Sequence, residues 1–147
     1  MKEIAVYPGC FVCGQENRIG LKARFFWDGQ KASCDVTADE IYSGYKNIFH
    51  GGIVATLLDE VMIKSLLAEG LMVVTAEITV RFKLPVNVGD RLHLEGWKTG
   101  QKKVVYTTEG RVVNQDGRIV AEAMARYVKP RGGLSDRLRG SLEGDGQ

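Results

Sequence analysis

From about Gly52 to Ala68 the chain runs through GIVATLLDEVMIKSLLA, a stretch of strong helix formers without proline that stops at Gly70. Wound as a helix, it is apolar over most of its circumference, and such a helix needs cover on several sides. This restricts the fold more than any other feature of the chain. The helix has to be central, wrapped by a sheet.

The strands that would wrap it are legible on both sides. After the helix, Val74, Ala76, Ile78, Val80, Phe82 and Leu84 alternate with Thr75, Glu77, Thr79, Arg81 and Lys83, the period of a long strand with one apolar face, and Pro85 ends it. Residues 91–98, 103–113 and 118–129 follow as three further strands, separated by the turn signals Thr99-Gly100 and Asp116-Gly117, so the four are expected to form an antiparallel meander. Before the helix, residues 21–27 and 30–37 flank Asp28-Gly29 and read as a hairpin with a two-residue turn. Residues 8–20, rich in Gly, Pro, Cys and Asn, read as an irregular lead-in. Strands joined by short turns around one helix specify an α+β domain. That domain is expected over residues 1–130, with a Gly-rich, charged flexible tail over 131–147.

A chain of 147 residues has room for one such domain, and one of about this size buries roughly 70% of its unfolded surface. A formal charge of +2, from 20 basic and 18 acidic side chains, leaves no broad basic footprint for nucleic acid. The segment MKEIAVYPGC lacks the apolar run of a signal peptide, and no stretch approaches the ~20 apolar residues of a membrane helix. The expected setting is cytoplasmic, with neither membrane nor nucleic acid as partner. Three cysteines, Cys10, Cys13 and Cys34, do not make a disulfide framework. Cys10-Phe-Val-Cys13 is a lone CxxC, whereas a structural zinc site takes four ligands, and no second CxxC or His pair follows. The expectation is a loop anchored by buried thiols, with no metal.

Asp59 is the anomaly of the helix. Its axial neighbours are Ala55, Met62, Ile63 and Leu66, so its carboxylate projects from an apolar stripe with no partner on the same helix. Acids so placed are found at catalytic sites, and equally at interfaces or against buried donors. Glu60, by contrast, has Thr56 four residues before and Lys64 four after, the composition of a solvated or paired face. His50-Gly51-Gly52 stands at the helix start, where free N–H groups suit an anion or the oxygen of a polarised carbonyl. His50 is a candidate acid or base, or a side chain that orders the turn through a backbone hydrogen bond. His93, remote from any motif, reads as incidental. Thr75 carries a hydroxyl able to orient Asp59 or a water molecule, yet strand parity puts it with Glu77 and Thr79 on the face turned away from the helix. No G-x-S-x-G, no Cys/His pairing, no G-x-G-x-x-G and no P-loop occurs, which removes covalent Ser/Cys catalysis and nucleotide hydrolysis.

HGGIVATLLDEVM, with Asp59 nine residues after His50, and TAEITVRFKLP, with Thr75 ten residues before Pro85 and followed by Gly89-Asp90, resemble the hotdog-fold acyl-CoA thioesterase superfamily. The likeness is to its phenylacetate-pathway and mammalian acyl-CoA thioesterase-like group. CFVCGQENRIGL, through Cys10, Cys13, Gly14, Asn17, Gly20 and Leu21, is similar to one branch of that group, and the resemblance covers about residues 10–129. It implies a sheet wrapped round a long helix, and a homodimer with a continuous sheet, often paired into a homotetramer. It further implies a site between subunits, in which the Gly51 N–H polarises the thioester carbonyl and Asp59 and Thr75 of the other subunit activate water. Gly52 and Asn47 enter as substrate-binding candidates. Many relatives carry Asn six residues before the motif His, where this chain has Gly44, and Asn47 lies three residues later. The implied activity is hydrolysis of an acyl-CoA thioester without metal or redox cofactor, with Asp59 as general base or nucleophile. The alternative is a non-catalytic hotdog dimer that binds acyl-CoA or a related ligand. A hotdog hydratase would need a His following Asp59 within one segment, and none occurs before His93.

Overall fold

The structure, a computed structural model, describes residues 1–143. Helix α1, Gly51–Leu67, is the long central element. It ends where Gly70, at φ +83°, turns left-handed, so that Leu71 N–H donates to Leu66 O and Gly70 N–H to Leu67 O. That closure satisfies carbonyls the last helical turn leaves free, and glycine adopts it without a Cβ clash.

Seven antiparallel strands form one sheet: β1 Lys2–Glu3, β2 Phe26–Trp27, β3 Ala32–Thr37, β4 Val74–Phe82, β5 Arg91–Lys102, β6 Val105–Val113 and β7 Ile119–Val128. Their spatial order is β1-β2-β3-β5-β6-β7-β4. The sheet curls around α1, and Val54, Leu57, Leu58, Val61, Met62 and Leu66 are buried against it. Closest approach occurs where Gly96 of β5 pairs with Gly110 of β6, for a Cβ at Gly96 would lie 2.6 Å from the Val61 carbonyl oxygen.

Several expectations change. β5, β6 and β7 form the meander, but β4 lies beyond β7 rather than beside β5. The connection Lys83–Asp90, carrying Pro85 and the left-handed Gly89, is too long for a tight hairpin and carries the chain across the sheet. Thr99-Gly100 is not a turn. β5 runs through it with an irregularity between Lys98 and Gly100, and the chain reverses at Lys103-Val104, where Lys103 takes φ 57°. The first hairpin is shorter than expected: residues 21–25 run beside the lead-in, with Leu21 N–H donating to Phe11 O and Ala23 N–H to Val12 O. Its turn spans Asp28–Lys31, held by the Asp28 carboxylate accepting from Gln30 N–H and Lys31 N–H.

The expected tail carries a short helix α2, Gly133–Gly140, none of whose residues is buried, and residues 144–147 lie outside the described residues. Among the described residues, no helix is long and apolar enough to cross a membrane.

Candidate functional site

His50 is the N-cap of α1. Its Nδ1 accepts from the Gly52 N–H at 2.8 Å, so the imidazole orders the turn and occupies that donor. Among the described residues the Gly51 N–H has no acceptor, as expected of the first helical position. It opens beside a cavity of about 230 Å³ lined by apolar side chains that include Ile48, Phe49, Val54 and Leu84, with the Phe82 ring against Gly51.

Asn47, at φ 64°, is the left-handed residue of the turn before the helix, and its carbonyl accepts from Val88 N–H at 3.0 Å. Gly44 lies against the His50 ring, where an added Cβ would come within 3.3 Å of Cδ2. A larger residue there presses on the imidazole.

Asp59 and Thr75 are brought together within one chain. Thr75 Oγ1 donates to Asp59 Oδ1 at 3.1 Å, with Oδ2 at 3.3 Å. The parity objection fails because β4 is bulged: Thr75 pairs with Tyr127 and Glu77 already pairs with Arg126, which leaves Ala76 as an extra residue. The bulge moves Thr75 onto the face that Ile78 and Val80 occupy further along the strand.

Tyr127, which sequence reasoning missed, completes the arrangement. It is fully buried, and its hydroxyl lies 2.8 Å from Asp59 Oδ1 and 3.0 Å from the Asp59 carbonyl oxygen. Burial, reinforced by the Asp59 charge, holds the Tyr127 phenol above its ordinary range, so it stays a donor. The available signal was a tyrosine at the end of an otherwise apolar series in β7, since a buried Tyr hydroxyl finds a partner.

Glu60 is not on a solvated face. Its side chain is 12% exposed, Lys64 is fully buried, and the two lie 3.8 Å apart under the lead-in. Burial, then the charge of Cys10, pushes Glu60 up to about 7. Among the described residues, metal-type donor atoms cluster only at Cys10, Cys13 and Glu60. These are three where a closed zinc site takes four, and the Lys64 ammonium beside them opposes a cation. His93 pairs at the surface with Asp35 at 2.8 Å, away from the Asp59 group.

In chemical terms the chain carries a carboxylate held by two hydroxyls and, at the start of the same helix, a free backbone donor over an apolar cavity. Asp59 follows Gly51 by eight positions, roughly 12 Å along a helix axis. One small reacting group cannot touch both in the same chain.

Residues 46–121, more than half of the chain, match the family model of the thioesterase superfamily. No curated protein matches. A crystal structure of a thioesterase superfamily protein is similar at TM-score 0.77 and 24% identity over 82% of this chain, which spans 60% of that protein's length. A Streptococcus mutans protein bound to acetyl CoA is similar at TM-score 0.71 and 19% identity, covering 79% of this chain and 94% of that one. The E. coli PaaI protein of the phenylacetic acid degradation operon is similar at TM-score 0.69 and 23% identity, covering 74% and 83%. At these identities the structural likeness establishes the fold. With the family match covering the helix, its cap and most of the sheet, the chain belongs to the thioesterase superfamily and has the hotdog fold.

Proposed function

We propose that this protein hydrolyses acyl-CoA thioesters in a site shared between two copies of the chain. The observation that carries the reading is the Asp59 carboxylate, held by the hydroxyls of Thr75 and Tyr127 on an otherwise apolar helix. Thr75 donates its proton to Asp59, which leaves the hydroxyl lone pairs free to accept from a water molecule. Asp59 takes a proton from that water as the oxygen attacks the carbonyl carbon, or attacks the carbon itself to form an acyl anhydride that the water then cleaves to free acid. The Gly51 N–H stabilises the oxyanion, and the tetrahedral centre collapses by expelling the CoA thiolate.

The 12 Å problem is removed by a second copy. β4 is a sheet edge with a row of free backbone groups along nine residues. Antiparallel pairing of β4 with the β4 of another copy continues the sheet and reverses one α1 against the other. The start of one helix then approaches the middle of its counterpart, and Gly51 of one copy meets Asp59 of the other.

The test is thiol release from short, long and aromatic acyl-CoAs, with Asp59→Asn as the variant. Turnover should fall by at least ~10²-fold, the lower range for a general base, while acyl-CoA binding survives. Full activity in the variant refutes the carboxylate mechanism. Wild-type binding without thiol release makes the protein an acyl-CoA binder instead. An active, monodisperse monomer in sedimentation removes the shared site.

A further inference from the structure

The lead-in segment lays Cys10 and Cys13 on the face of α1 that carries Glu60 and Lys64. Cys10 Sγ is 3.9 Å from Glu60 Oε2, and the two sulfurs and a Glu60 oxygen all lie within 4.8 Å of one another. The N–H groups of Val12 and Cys13 both point at Cys10 Sγ, at 3.3 and 3.5 Å. Two donors on one sulfur favour its thiolate.

The loop closes this tightly because position 14 is glycine: a Cβ there would sit 2.4 Å from Pro8 O and 2.5 Å from Cys10 N and O. Cys10 is half-buried and reachable, whereas Cys13 is fully buried behind it. Lys64 donates to Ala5 O beneath the Tyr7 ring and lies 3.8 Å from Glu60, so a buried cation and a buried carboxylate flank the two thiols. None of this is used in thioester hydrolysis.

We propose that Cys10 and Cys13 are a thiol–disulfide exchange pair, with Cys10 as attacking thiolate, Cys13 as resolving thiol and Glu60 as acceptor of the Cys13 proton. The oxidant is a low-molecular-weight disulfide, RSSR. Cys10 thiolate attacks one of its sulfurs, forming the mixed disulfide and releasing the first RS⁻. Cys13 gives its proton to Glu60, and the Cys13 thiolate attacks Cys10 Sγ, forming the internal disulfide and releasing the second RS⁻. Two cysteine thiols are oxidised and one RSSR is reduced to two RSH, with the two protons that leave the cysteines ending on the RS⁻ groups.

The electrostatics run the same way. Hydrogen bonding from the Cys13 thiol, then from backbone N–H groups, holds Cys10 below the usual thiol range, and the bond to Cys10 together with burial holds Cys13 above it. Glu60, near 7 through burial, is matched to accept a proton around neutrality. Cys34, buried in β3 and pushed up to about 12 by burial, is an internal control.

The experiment uses the full chain, reduced and then equilibrated in glutathione buffers of rising oxidised fraction. Samples are quenched by alkylation and mapped by mass spectrometry. Wild type should yield a Cys10–Cys13 disulfide with Cys34 alkylated, C13S should accumulate glutathione on Cys10, and C10S should accumulate none. The rate of closing the mixed disulfide should show an inflection near pH 7 in wild type. That rate should drop about 10²-fold in E60Q, the lower range for a positioned base. If E60Q does not fold, the wild-type pH profile stands in its place. Persistent mixed disulfide on wild-type Cys10, a closing rate without the inflection, or thiols that react only after a chelator strips a bound metal each overturn the proposal.

Discussion

Gly96→Ala adds one methyl at the tightest contact between helix and sheet. The new Cβ would lie 2.6 Å from Val61 O, 2.7 Å from Val61 C and 2.8 Å from Met62 N. Carbon–carbon contacts are favourable near 3.5 Å, so α1 has to recede from β5 by roughly 0.8 Å. The obstacle is helix backbone, which no rotamer change relieves. A gap of that size forfeits about a quarter to a half of the dispersion energy of the contacts it opens. Here those are made by Leu57, Leu58, Val61 and Met62, all fully buried. Overpacked cores lose about 1–3 kcal/mol, and a backbone obstacle places this change at the upper end, about 3 kcal/mol. For a domain near this size the melting temperature should drop roughly 6–12 °C. Denaturant unfolding measures the loss, with Gly140→Ala as control, since a Cβ there meets nothing within 4 Å and should be neutral or slightly stabilising. Asp59 lies two residues before Val61, so thiol release should weaken in parallel. A Gly96→Ala protein within about 0.5 kcal/mol of wild type would refute the argument that paired glycines set the helix height.

Tyr127→Phe keeps the ring and removes the hydroxyl bonded to Asp59. The expected loss of stability is about 1.5–3 kcal/mol, the range for a hydrogen bond to a charged group, and turnover should fall about tenfold. In an Asp59→Asn background the further effect on turnover should shrink, which a double-mutant cycle reads directly. Glu60 predicts a pH dependence. The folded chain holds its proton up to about 7 against the ordinary 4.5, so between those values the folded state binds more protons, and stability falls as pH rises. The slope should integrate to about 3 kcal/mol at most, flatten above pH 7 and be absent in Glu60→Gln, as urea midpoints across the range would reveal.

The sequence carried α1, its glycine stop and its cap region openly, because these depend on residues within a turn or two of each other. The placement of β4 beside β7 was not legible, since it is decided by pairing partners some fifty residues away. The bulge at Thr75 also left no mark: Thr75-Ala76-Glu77 contains neither Gly nor Pro, so alternation was read straight through it. Asp59 stood out as a carboxylate among apolar neighbours, whereas Tyr127 was hidden by being a good strand residue. Glu60 was misread for a related reason. Spacing along the helix found its partner Lys64 correctly, but what covers the pair is the lead-in, fifty residues earlier in the chain.

The bulge also gives β4 two reading frames. From Glu77 to Phe82 the frame is set by the core, with Ile78 and Val80 against the sheet interior, while Thr75 obeys a frame offset by one residue. Chemistry and packing are thus phased independently along one strand. A substitution that repacks the core half need not rotate the hydroxyl, and loss of the single residue Ala76 would close the bulge and leave Thr75 two positions before Ile78, still opposite Tyr127 and still facing inward by plain alternation. What the site depends on is the register that sets Thr75 opposite Tyr127, and the bulge keeps that register while the strand carries one residue more than alternation needs.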